Sequence, residues 1–106
     1  MTPALTPMDA LAERLAALIE LLDAAGETYW SRWMQRALAR IDDNQLAGVS
    51  QVLAAYAGEG SFSDLELNPE LGESQPHRHR ARNEHLAELR DEIHRLADTV
   101  ASGTAS

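Results

Sequence analysis

The side chains able to do chemistry fall into a glycine turn, a histidine run and an arginine row. In Gly58-Glu59-Gly60-Ser61-Phe62-Ser63-Asp64-Leu65, two glycines stand beside hydroxyls, an aromatic ring and a carboxylate. Successive N–H groups exposed by such a turn can form an anion-binding nest. The competing reading is structural. Gly58 caps the preceding helix, and Gly60 permits positive φ or close backbone approach. Ser61 and Asp64 then bond local N–H groups, and Phe62, the only phenylalanine, plugs the core beneath. The structural reading is favoured. The turn lacks the G-x-x-x-x-G-K-[ST] pattern, and the chain contains no lysine, so a nucleotide-phosphate cradle of that type is excluded.

His77 and His79 flank Arg78, with His85 beyond. Imidazoles at i, i+2 on a loop can meet one metal ion. Arg78, Arg80 and Arg82 surround them and oppose a cation, so solvated loop histidines are expected and no metal site is assigned. The same basic run, His77 to Arg82, is the one local patch suited to phosphate. It has no interleaved aromatic for base stacking, and the formal net charge is −8. Nucleic-acid binding is disfavoured.

Arg32, Arg36 and Arg40 recur at i, i+4 and i+8 on one helical ridge. Three cations there repel one another unless acids meet them. The bland expectation pairs them with Glu13, Glu20 or Glu88 of a neighbouring helix. The functional one makes them a docking strip for an acidic partner, since arginine is enriched at interface hot spots. Catalysis has little support. No serine or threonine lies in a nucleophile elbow, and the carboxylates sit mostly at helix-surface spacings. With no cysteine, disulfides and cysteine metal sites are excluded, and no cofactor is implied.

Helices must position these groups. Thr6-Pro7-Met8-Asp9 is a helix start, with Thr6 as cap, proline at the first position and an acid in the first turn. Met8, Leu11, Leu15, Leu18, Ile19 and Leu22 make one apolar face, and Gly26 stops the helix. A second helix runs from about Glu27 to Ile41. Its wide, aromatic stripe of Tyr29, Trp30, Trp33, Met34, Ala37, Leu38 and Ile41 is expected to carry the centre of the core, with an interface as the alternative place for one or two of Tyr29, Trp30, Trp33 and Tyr56, and Asp42-Asp43-Asn44 ends it. A third is expected from about Gln45 to Ala57, weakened by Gly48. Ser61 to Pro69 reads two ways. Ser63-Asp64-Leu65-Glu66 matches a capping box, whereas Leu65-Glu66-Leu67 alternates like an extended piece. Gly72 to Arg82 is polar and aperiodic, and is expected to be an exposed, mobile loop. Leu86, Leu89, Ile93, Leu96 and Val100 then step by threes and fours along a last helix from about Arg82, a narrow seam. The seam either fills a groove of the first three helices or pairs with its copy in a homodimer. His94 faces away from it.

The order of these pieces resembles a family of small bacterial proteins of unknown function. In that family a tryptophan-bearing aromatic helix, a Gly-x-Gly-Ser-x-x-Asp-Leu turn and a terminal amphipathic helix follow one another. Here the pieces are Trp30 or Trp33, then Gly58 to Leu65, then Asn83 to Val100, so the likeness runs from about Leu18 onward. It implies a helical fold and no established activity, and it carries no catalytic residues over.

A length of 106 residues favours one domain, burying roughly two-thirds of its unfolded surface. Residues 1–5, 72–81 and 102–106 are expected to be its flexible parts. The first residues carry no signal-peptide pattern, and charged residues break every apolar stretch, so a cytoplasmic, non-membrane protein is expected. All nine basic residues are arginine and alanine is abundant, the usage of a GC-rich bacterial genome. The expectation is an all-α bundle of three to four helices. Its function is expected to be a non-catalytic protein-interaction module, in one variant regulatory or immunity-like. The candidate binding residues are Trp30, Arg32, Trp33, Arg36, Arg40, Gly58, Gly60, Ser61, Phe62 and Asp64. The partner is another protein, or a second copy through Leu86, Leu89, Ile93 and Leu96. The alternative is a small-ligand or enzymatic subunit with its site near the Gly58–Asp64 turn.

Overall fold

In a computed structural model, residues 6–57 and 61–103 are described, and every element among them is helical. The elements are α1 (Pro7–Ala24), α2 (Thr28–Asp42), α3 (Leu46–Ala54), a single 3-10 turn (Phe62–Asp64), α4 (Leu71–Ser74) and α5 (Pro76–Gly103). The expected all-α bundle is what forms. Helix α1 packs on both α2 and α5, α2 on α3, and α3 on α5, so the four long helices close into a ring around one core. The short α4 packs on α5.

The helix ends follow from their residues. The Thr6 hydroxyl accepts from the Asp9 N–H at 3.1 Å, and Asp9 accepts from the Thr6 N–H at 3.4 Å, a reciprocal capping box. At the other end Gly26 takes φ +77°, a left-handed conformation suited to glycine. The Glu27 N–H then reaches the Leu22 carbonyl at 2.9 Å, closing a Schellman turn. Helix α2 ends the same way with Asn44 at φ 58° and the Gln45 N–H on the Arg40 carbonyl at 2.9 Å. These two turns fold α1, α2 and α3 back on one another.

The core centres on α1. Leu11, Leu15, Leu18 and Leu22 are each fully buried, and Met34, Ala37 and Ile41 of α2 meet them with Val49 and Val52 of α3. Of the expected α2 stripe, Met34, Ala37 and Ile41 hold the centre, and the placing of the aromatic rings there is corrected. Trp30 and Trp33 are only half-buried, and Tyr29 is 63% exposed. The smaller residues lie where helices approach closely, and the rings occupy the edge. Ser31 is buried between α1 and α2, where its hydroxyl donates to Asp23 and accepts from Gln35 at 2.9 Å.

The α5 seam fills the groove inside this one chain. Leu86, Leu89, Ile93 and Val100 are buried, joined by Ala97, while Leu96 is half-buried. The segment Gly72 to Arg82 is not a loop. It contains most of α4 and the first turns of α5, which starts at Pro76 and not near Arg82. Apolar periodicity is absent there because the contacts are polar. The Asn83 side chain accepts from the Leu67 N–H at 2.8 Å and donates to the Leu67 carbonyl at 3.1 Å, as a neighbouring strand would. Arg82 donates to Asn68 at 2.8 Å, and Asn68, at φ 47°, donates to the Ala25 carbonyl at 3.0 Å. Helix α3 ends at Ala54, before the expected Ala57, and the 3-10 turn starts at Phe62, before the Ser63 capping box.

Gly48 is required by packing. A Cβ there would lie 2.7 Å from the Ala37 carbonyl oxygen and 2.8 Å from an Ile41 side-chain carbon. Its helix-weakening effect is offset by the close α2–α3 approach it permits. Gly48→Ala is therefore expected to cost about 1–3 kcal/mol despite alanine's better helix propensity. Urea unfolding at neutral pH checks this, with a lower midpoint and an unchanged slope as the expected result.

Candidate functional site: the outer face of α2

Sequence-predicted candidates separate in space. Arg32, Arg36 and Arg40 line the solvent side of α2, and all three are exposed. Trp30 and Trp33 lie toward the α2–α3 boundary. Gly58 and Gly60 fall outside the described residues. Ser61, Phe62 and Asp64 follow α3 in the segment that leads to α5, and of these Phe62 reaches the aromatics of α2.

The arginine ridge lacks the partners expected of it. Among the described residues the ion pairs are Arg14 with Glu13 at 3.7 Å and His79 with Glu66 at 3.3 Å. The anticipated pairing of Arg32, Arg36 and Arg40 with Glu13, Glu20 or Glu88 does not occur. Asp9, Glu13 and Glu20 are exposed on the side of α1 opposite its buried leucines, and Asp23, which does reach α2, accepts from Ser31 rather than from an arginine.

Beside the ridge the aromatics form a fixed cluster. Trp33 Nε1–H donates to the Gln51 carbonyl at 2.9 Å, and the Gln51 amide donates back to the Trp33 carbonyl at 3.3 Å. Ring centroids are 5.6 Å apart for Trp30 and Trp33, and 4.9 Å for Tyr29 and Trp30. Trp30 also meets Phe62 at 5.5 Å. These offsets suit the ring quadrupoles. The result is a preformed aromatic edge next to three cations.

The turn that sequence reading singled out is structural where it is described. Phe62 is fully buried, with the Tyr56 ring edge-on at 5.5 Å. Ser61 is buried, its hydroxyl bonded to Ser63 at 2.7 Å and to the Tyr56 carbonyl at 3.5 Å. An arginine does converge here. Arg90 of α5 donates to the Phe62 and Leu65 carbonyls, each at 3.3 Å, and so satisfies backbone. Among the described residues no buried side-chain polar atom lacks a partner. Sequence reading missed Arg90. Tyr56 donates to the Arg90 carbonyl at 2.7 Å, and His94, exposed as expected, lies edge-on against it at 4.8 Å.

The histidines do not gather. Because Gly72 to Arg82 is largely helical, His77 and His79 point about 200° apart around the axis and cannot share one ion. His79 is half-buried against Glu66, and His77 and His85 are exposed. Among the described residues no three histidines or carboxylates are placed to hold a metal. No helix among them is long and apolar enough to cross a membrane.

A family described as a domain of unknown function (DUF6966) matches residues 23–74, just under half of the chain. That span takes in α2, α3, the 3-10 turn and α4, and so contains the whole arginine–aromatic face. It leaves out α5 and nearly all of α1, so it is shorter than the likeness drawn from the sequence. No curated protein and no solved structure matches the chain.

Burial raises the Tyr56 phenol well above its ordinary value, outweighing the opposing pull of Arg90. The neutral phenol belongs to the folded state. Its contribution is complete below the unfolded tyrosine value of about 10 and is lost as pH rises above it. Tyr56→Phe should cost roughly 1 kcal/mol at pH 7, through loss of one buried hydrogen bond. Urea titrations repeated from pH 7 upward are expected to show that deficit shrinking above about pH 10, where the wild type alone must keep a buried phenol protonated.

Proposed function

We propose that this is a non-catalytic protein-interaction module that docks its partner on the outer face of α2. The observation that carries this is the row Arg32, Arg36 and Arg40. It is exposed and makes no ion pair among the described residues, in a chain with 17 acids and 9 basic residues. Like charges at i, i+4 oppose helix formation by a few tenths of a kcal/mol per pair. Asp43 stands three residues beyond Arg40, yet neither it nor any other described carboxylate closes an ion pair with the three arginines. Arginine and tyrosine together are the residues most enriched at binding hot spots. The rigid Trp33–Gln51 pair means little side-chain order is lost on docking. The small-ligand reading at the Gly58–Asp64 turn gains no support, because Arg90 is engaged with backbone and Phe62 fills the space beneath.

Photo-crosslinking in host lysate tests the face directly. With p-benzoylphenylalanine at Ala39, exposed beside the ridge, a discrete adduct with another protein is expected at low salt and should fade as salt screens the charges. The same group at Glu84, exposed on α5, is expected to give none. Matching adducts at both positions, or none at either, would remove the reading.

A further inference from the structure

The α2 face continues onto α3, and the two helices together form a shallow valley. Gly48 brings them close, since a Cβ at that position would sit 2.7 Å from the Ala37 carbonyl. The exposed residues on α3 beside the contact are small: Ala47, Ser50 and Ala54. The α2 wall is tall and cationic, whereas the α3 wall is low. Trp33 and Gln51 form the floor and are locked by their two reciprocal hydrogen bonds.

One end of the valley is apolar. Among the described residues the exposed large hydrophobics are Tyr29 at 63% and Leu46 at 51%. The register that sets Trp33 against Gln51, and Ala37 to Ile41 against Gly48, puts Tyr29 at one end of the contact, whereas Leu46, two residues before Gly48 and about 200° around α3 from it, faces away from α2.

We propose that this valley takes one acidic amphipathic α-helix, its carboxylates on Arg32, Arg36 and Arg40 and its apolar edge on Tyr29 and Trp33. The proposal rests on the interaction reading above and specifies the partner. Charge complementarity selects an acidic occupant, because this face carries three unpaired cations in a chain of net charge −8. Helical form follows from spacing and from the walls. Carboxylates at i, i+4 and i+8 recur every ~6 Å, the step of the arginine row. Low walls of alanine and serine admit a third helix into the groove of two. No strand edge exists among the described residues to pair with an extended peptide. A nucleic acid would meet the same arginines, but the remaining surface repels a continuous phosphate backbone.

Tryptophan emission reads the valley, because Trp30 and Trp33 are the only tryptophans in the chain. The probes are three molecules without tryptophan. One is a capped sixteen-residue helical peptide with glutamates at every fourth position and leucines on the adjoining stripe. The second is its scrambled isomer of equal composition. The third is an oligo(dT) strand of similar charge. The helical peptide is expected to shift the emission saturably and to bind at least tenfold more tightly than the scramble. Arg36→Gln, whose fold is checked by circular dichroism, should weaken it roughly tenfold, the loss of one charge-assisted contact. Equal binding of the scramble would overturn the helical register while leaving an acidic docking face. Binding of oligo(dT) alone would overturn both readings. No response to any probe, with the Ala39 crosslink intact, would overturn the acidic helix and not the interaction. Concentration-dependent emission of the protein alone, with dimers in sedimentation, would assign the valley to a second copy and overturn it as well.

Discussion

Four leucines on α1 lose all their accessible surface, and two other helices must reach the same stripe to cover them. Burying each of these side chains is worth roughly 1.5–3 kcal/mol, so no arrangement that uncovers the row competes. The demand sets the rest of the bundle. A three-residue connection returns the chain onto α1 as α2, and the Schellman turn at Gly26 fixes that return. Helix α5 comes back across the whole length of the domain to close the other side. Its seam is consumed in doing so. With α1 and α5 committed inward, the outward face of α2 is left to present arginine and aromatic side chains to solvent.

Polar clips hold what apolar packing does not reach. The chain between α3 and α5 carries little hydrophobic periodicity, and side chains tie it down by imitating backbone. Asn83 offers Leu67 both a donor and an acceptor, and Arg90 holds the carbonyls of Phe62 and Leu65. Tyr56 closes the loop of contacts by bonding the Arg90 carbonyl. This network explains why the serine and aspartate of the glycine turn need no ligand to account for them. Their segment is already clamped against α5.

The elements legible in the sequence were those written in local rules. The Thr6 capping box, the proline at the first helical position, the Gly26 stop and the α1 and α5 stripes all follow from neighbours within a turn or two. What escaped depends on distant residues. Segment 72–81 lacks a helical stripe because its contacts are polar, His79 with Glu66 and Arg78 with Gln75, and Arg82 and Asn83 just beyond it clip the preceding chain in the same way. Gly48 reads as a weakness until the Ala37 carbonyl is seen opposite it. The place of the tryptophans was misjudged because size suggests core, whereas tight helix contacts favour alanine and methionine. Of the candidate site, the spacing of Arg32, Arg36 and Arg40 was plain, and their solitude was not. Pairing depends on where the acids of α1 and α5 point.

The account turns on the bundle closing without the arginine ridge. The most direct measurement is equilibrium urea unfolding of the triple variant Arg32→Gln, Arg36→Gln, Arg40→Gln beside the wild type, in moderate salt. These exposed side chains make no ion pair among the described residues, so the slope should be unchanged and the midpoint unchanged or slightly higher as their mutual repulsion is relieved. A large fall in the midpoint would mean that the ridge holds the fold together and is not a surface kept free for a partner.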